Sequence, residues 1–169
     1  MWMILAFSAG VASGAAQPAT NDSTGFTPKA TETCLATMAE NQDPATCIGA
    51  SANLCMETTE GGWSTYGMST CLNHELQYWD ARLNAAYKDV QAKRKATDKE
   101  MTELESSAPS QSEALLAMQR AWIGFRDAKC DYERSLWGGG TGGGPATVSC
   151  HMYITAEQAL FLEADAMVE

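Results

Sequence analysis

Basic residues are scarce in this chain of 169 residues: Lys and Arg number 11 against 21 Asp and Glu, a formal charge of −10 at pH 7. Such a surface repels nucleic acid and anionic membranes, so neither is expected as a partner, and any partner steered by charge is cationic. Histidine is scarcer, with two residues. His74 lies in "NHELQYWD", where a zinc protease would need a second histidine to complete H-E-x-x-H, and no C-x-x-C pair offers a zinc site. His151 stands beside Cys150 and reads as a helix residue next to a staple. The serine-hydrolase elbow, the phosphate loop and the dinucleotide fingerprint are all missing. Asp127 and Asp131, an i and i+4 pair, read as solvated charge on a helix face rather than as paired catalytic acids. The expectation is therefore a protein that is no enzyme and uses no cofactor and no metal.

A long apolar run is also missing; a membrane span needs about 20 residues. The nearest candidate, "MWMILAFSAGVASGAAQP", is interrupted by Ser8, Gly10, Ser13 and Gly14 and ends in small residues. That is the apolar core and cleavage region of a secretory signal, although no basic residue precedes it. Residues 1–16 are expected to be a signal peptide, 17–30 ("QPATNDSTGFTPKA") a flexible leader with little to bury, and 31–169 one domain. The signal carries no charge, so its removal leaves −10 unchanged. No cysteine follows it closely enough for lipidation, which predicts a protein free in the periplasm or secreted, without stable membrane insertion.

Cysteine is what the chain does have. Cys34, Cys47, Cys55, Cys71, Cys130 and Cys150 form an even set, which in an exported chain favours disulfides over a reactive thiol. If Cys47 and Cys55 share a helix, its rise holds them about 12 Å apart, beyond the roughly 7 Å limit for a bridge. Sequential pairing, 34–47, 55–71 and 130–150, places "NQDP", "EGGW" and "GGGTGGG" at the three midpoints, and each is a turn signal. The cysteines would then staple three helical hairpins.

Alternating strand patterns are absent, and helical periodicity dominates. A short helix at "TETCLATMAE" is followed by one capped by Asp43, with Pro44 at its first position, running through "ATCIGASANLCMET" to Gly61. From about Ser69 to Ala96, Leu72, Leu76, Trp79, Leu83, Tyr87 and Val90 make one apolar stripe. Capping boxes at Thr97/Glu100 and Ser110/Glu113 predict a break near 106–109. A second long helix carries Leu115, Met118, Trp122, Phe125, Tyr132 and Leu136, ending at the glycine-rich turn. A short helix at 146–154 and a last one capped by Thr155 with Gln158 complete an all-α fold, a small disulfide-stapled bundle of antiparallel helical hairpins.

Each long helix carries a polar shoulder beside its stripe: Asp80, Asn84, Tyr87 and Gln91 on the first, Gln119, Arg126 and Cys130 on the second. If the shoulders meet, Arg126 pairs with Asp80, while Gln119 and Asn84 satisfy the remaining donors and acceptors. These residues sit in the elements D-x-x-L-N-x-x-Y (Asp80, Leu83, Asn84, Tyr87) and Q-x-x-W-x-x-x-R-D-x-x-C (Gln119, Trp122, Arg126, Asp127, Cys130), followed by a glycine pair and Cys150. Over about 71–162 the chain resembles the lysozyme-inhibitor LprI N-terminal domain family, and 34–71 resembles an extension found in some members. Where Gln158 stands, that family often has arginine. The resemblance implies a small, exported, disulfide-stapled helical domain and, for some members, inhibition of lysozyme.

Two functions follow as expectations. One is a binding module that blocks a cationic lysozyme-like muramidase, with Trp63, Tyr66 and Trp137, aromatics beside the turns "TEGGWSTYG" and "WGGGTGGG", as candidate anchors. The other is an envelope structural or adaptor domain with a different protein partner and no inhibitory activity.

Overall fold

A computed structural model describes residues 25–167; the expected signal peptide and residues 17–24 of the expected leader lie outside that range. Helix α1 (Lys29–Thr37) leads through a 3-10 turn (Pro44–Cys47) to α2 (Ala50–Thr58), and then come α3 (Thr65–Glu103), α4 (Gln111–Ser135) and α5 (Gly143–Met167). The described residues contain no strand. Helices α3 and α5 run parallel: Ser69 lies beside Gly144 at one end, and Arg94 reaches Asp165 at 2.5 Å toward the other. Helix α4 descends antiparallel to both. The fold is all-α with disulfide staples, and the bridges are Cys34–Cys47, Cys55–Cys71 and Cys130–Cys150.

The core forms where the α3 stripe meets α5. Trp79, Leu83 and Val90 of α3 pack with Met152, Ala156, Ala159 and Leu162 of α5, all of them buried. Each large side chain so buried contributes about 1.5–3 kcal/mol of transfer free energy. Ala156 and Ala159 are small, which lets the two axes approach closely. At the edge of this seam Arg82 forms a fork on Glu163 (2.7 and 2.6 Å) and donates to the Tyr78 hydroxyl at 2.8 Å. Burial pushes the Tyr78 phenol up, so it stays protonated as Arg82's acceptor.

Four expectations are corrected. Helical structure starts before residue 31: α1 begins at Lys29, Thr31 is buried, and Phe26 stacks on His74 with ring centroids 5.3 Å apart. The helix drawn through "ATCIGASANLCMET" is broken, because Ile48 is extended and Gly49 is left-handed at φ 91°. Cys47 and Cys55 therefore do not share a helix, although the pairing stands. The two helices expected after the glycine turn are one: Thr155 caps nothing and is buried within α5. Finally, Phe125, Tyr132 and Leu136 of α4 are exposed, whereas Leu115 is buried and Met118 and Trp122 pack on the core. Cys130 must face α5 to reach Cys150, and on a helix this turns Phe125 about 140° away from that face.

Candidate functional site

The polar shoulders do not meet as expected. Arg126 does not pair with Asp80. Its Nε and Nη2 donate to the neighbouring Asp127 Oδ1 at 2.9 and 2.8 Å, and its guanidinium carbon lies 5.1 Å from the Trp122 ring centroid. Asp80 instead accepts from Asn84 Nδ2 at 2.9 Å. Gln119 accepts from Gln158 Nε2 at 3.0 Å rather than meeting Asn84, and the Tyr87 hydroxyl accepts from Gln91 at 3.0 Å. The physical reason is that α3 and α4 each lean on α5 and touch one another little. A groove of about 560 Å³ is left between them. Asn73, Gln77, Asp80 and Asn84 form its α3 wall, while Arg126 of α4 and His151 of α5 complete the lining. The structure thus gathers Asp80, Asn84 and Arg126 around one open groove. Gln119 and Trp122 serve the α4–α5 contact, where Trp122 packs on both the main core and the Cys130–Cys150–Ile154 cluster.

Two carboxylates absent from the expected set tie neighbouring elements to α3, the helix that forms one wall of this groove. Glu75 is fully buried; its Oε1 accepts from the Thr31 hydroxyl (2.9 Å), Gly49 N (2.8 Å) and Trp79 Nε1 (3.1 Å), and its Oε2 accepts from Ala52 N (2.6 Å). It caps the N-terminus of α2 from another helix. Near the other end of α3, Asp98 accepts from Gln111 N (2.7 Å), Ser112 N (2.9 Å) and the Ser110 hydroxyl (2.8 Å), capping α4. The Ser112 hydrogen bonds, reinforced by Ser110 and Gln111, hold the Asp98 carboxyl well below the usual carboxylate range. Glu75 had a signal in the sequence: it lies three residues from Leu72 and four from Trp79, on the core-facing stripe.

The three candidate anchor aromatics fall at the end of the bundle where α3 and α5 begin. Trp63, Tyr66 and Trp137 are 60, 81 and 52 % exposed. One edge of the Trp137 ring lies against Gly142, where a Cβ would come within 2.3 Å of the ring, so glycine is what lets the indole lie there. Beneath it, Met68 and Leu72 of α3 and Pro145 and Ala146 of α5 line a hollow of about 220 Å³ that Trp137 also borders. Trp63 and Tyr66 stand on the turn and first residues leading into that same stretch of α3. Among the described residues no group of His, Cys, Asp or Glu is placed to hold a metal, and no helix is long and apolar enough to cross a membrane.

Comparison with known proteins adds a family. The profile described as "Lysozyme inhibitor LprI" matches residues 55–162. Relatives include an uncharacterised 17.7 kDa protein from the puhA 5′ region of Rhodobacter capsulatus, 27 % identical over 137 residues, covering 80 % of this chain and 84 % of that protein. An uncharacterised protein of Rhizobium meliloti (strain 1021) is 38 % identical over 68 residues, 40 % of this chain and 49 % of its own length. No solved structure matches.

Proposed function

The chain belongs to the lysozyme inhibitor LprI family, and from that premise we propose that it is an exported binding module that blocks a cationic lysozyme-like muramidase. The observation that carries the reading beyond the family is the aromatic end: Trp137 stands exposed at the border of an apolar hollow, and Trp63 and Tyr66 are exposed where α3 begins, on a disulfide-stapled frame. Exposed aromatics on a rigid support are the usual anchors of a protein interface, because they bury large area at little entropic cost. A charge of −10 complements a basic enzyme and raises the encounter rate. The three disulfides fit a compartment outside the cytoplasm.

The test is a titration of the oxidised protein, without its first 16 residues, into a muramidase turnover assay. Inhibition is expected at about micromolar concentration, weakening as salt screens the charge. Trp137→Ala should reduce it by roughly tenfold or more while leaving the melting temperature nearly unchanged. If several lysozymes turn over undiminished, inhibition is ruled out and the chain is left as an envelope adaptor domain.

A further inference from the structure

We propose that the groove between α3 and α4 is a second binding site, distinct from the aromatic end, for a neutral oligosaccharide bearing acetamido groups. Its polar wall is a single line. Asn73, Gln77, Asp80 and Asn84 follow one another at steps of four, three and four residues, so their side chains stack along one face of α3 over about 16 Å. Leu76 and Ala81 add an apolar floor between them, and Arg126 and His151 close the far side.

The chemistry of this lining selects among ligands. All six polar residues carry planar groups: three carboxamides, a carboxylate, a guanidinium and an imidazole. Planar groups with two adjacent polar atoms match the paired hydroxyls of a pyranose. A carboxamide also matches an acetamido group, offering a donor to its carbonyl and an acceptor to its N–H. The acetamido methyl would rest on Leu76 or Ala81. Arg126 is already paired with Asp127, and Asp80 across from it carries an uncompensated negative charge, so an anionic ligand finds no free cation here and is repelled. At about 560 Å³ the groove falls within the roughly 300–1,000 Å³ of small-molecule sites.

These side chains are also available. Among the described residues, Asp80 hydrogen-bonds within its own helix to Asn84 and Arg126 to its sequence neighbour Asp127, and neither ties one helix to another. The carboxamides of Asn73 and Gln77 are exposed and take part in none of the described hydrogen bonds. Ligand groups would replace water there rather than a structural partner.

The experiment is a 15N NMR titration of the oxidised protein with the linear tetramer of N-acetylglucosamine. Saturable shifts are expected at the side-chain amides of Asn73, Gln77 and Asn84, with a dissociation constant of about 1 mM or below. The double variant Gln77→Ala/Asn84→Ala, both positions exposed, should fold normally and bind at least about tenfold more weakly. Trp137→Ala should bind as the parent does, which separates this site from the aromatic end. No saturable shift at roughly 20 mM sugar would overturn the proposal, as would shifts confined to other surfaces. An equal response to the glucose tetramer would overturn the acetamido preference. Tighter binding of an acetylated tetrapeptide at the same amides would show the groove to be a peptide site instead.

Discussion

Glu75 is a carboxylate with no access to water, held among four donors from four places in the sequence. Burying an unpaired carboxylate is prohibitive, but one that accepts two backbone N–H groups, a hydroxyl and an indole N–H is matched on both oxygens. Replacing it by glutamine keeps the shape and points an amide N–H₂ at donors that need an acceptor. Glu75→Gln should therefore cost about 3 kcal/mol, read as a lower melting temperature. Hydrogen exchange should show the amides of Gly49 and Ala52 losing protection while those of the α3–α5 seam keep theirs. An unchanged melting temperature would mean that Glu75 is not the clasp described. The sequence carried half of this, since an acid on the apolar stripe is visible from its spacing. Its partners were hidden, because Gly49 and Ala52 converge on it only where the chain breaks at a left-handed glycine. Thr155 is the reverse case, a buried hydroxyl with no hydrogen-bond partner among the described residues. Thr155→Val has nearly the same volume and removes a desolvated polar atom, so it should raise stability by about 1 kcal/mol. A fall in the melting temperature on that substitution would show that the hydroxyl is satisfied after all.

Among the elements, α3 acts as a strut that terminates its neighbours. Helix N-termini expose N–H groups and a partial positive charge, and α3 answers two of them with carboxylates, Glu75 for α2 and Asp98 for α4. Asp98 makes this pH-dependent. Its carboxyl is held below the usual range in the folded protein, so its contribution is complete above the unfolded value of about 3.9 and is lost as pH falls below it. Asp98→Asn should lower the melting temperature at pH 7 and flatten its decline between about pH 5 and pH 2. Parallel curves for the two proteins across that range would refute the assignment. The stop before α4 was legible, because Ser110 and Glu113 form a cap that the structure retains at 3.2 Å. The matching signal at Thr155 and Gln158 misled, since a capping box inside a run with no glycine or proline to break it is simply two helix residues. The polar shoulders misled for another reason. Periodicity tells which residues share a face of one helix, but not how far the next helix stands from it. At Asp80 and Arg126 the distance set by α5 leaves a groove.

At the scale of the whole molecule the disulfides distribute the stability. Their pairing was readable because each bridge spans a turn, with separations of 13, 16 and 20 residues. In the chain-entropy account loops of this size contribute about 3 kcal/mol each, together about 9 kcal/mol. A domain of this size is typically stable by only about 5–15 kcal/mol, so the bridges are comparable with the entire margin. They do not act on equal parts, however. Cys130–Cys150 joins α4 to α5, whereas Cys34–Cys47 ties α1 to the 3-10 turn and Cys55–Cys71 ties α2 to α3. The α3–α5 seam has a broad apolar contact of its own, and the N-terminal segment rests mainly on Glu75, Thr31 and a few side chains such as Ile48 and Met56. Graded reduction should therefore unfold the protein in two steps. The paired substitution Cys34→Ser/Cys47→Ser should loosen α1 and the 3-10 turn while α3 to α5 keep their exchange protection. Complete reduction should collapse the helical circular dichroism near 37 °C. If the fully reduced chain instead melted within a few degrees of the oxidised one, the apolar core would be carrying the fold alone, and the staples would be incidental to it.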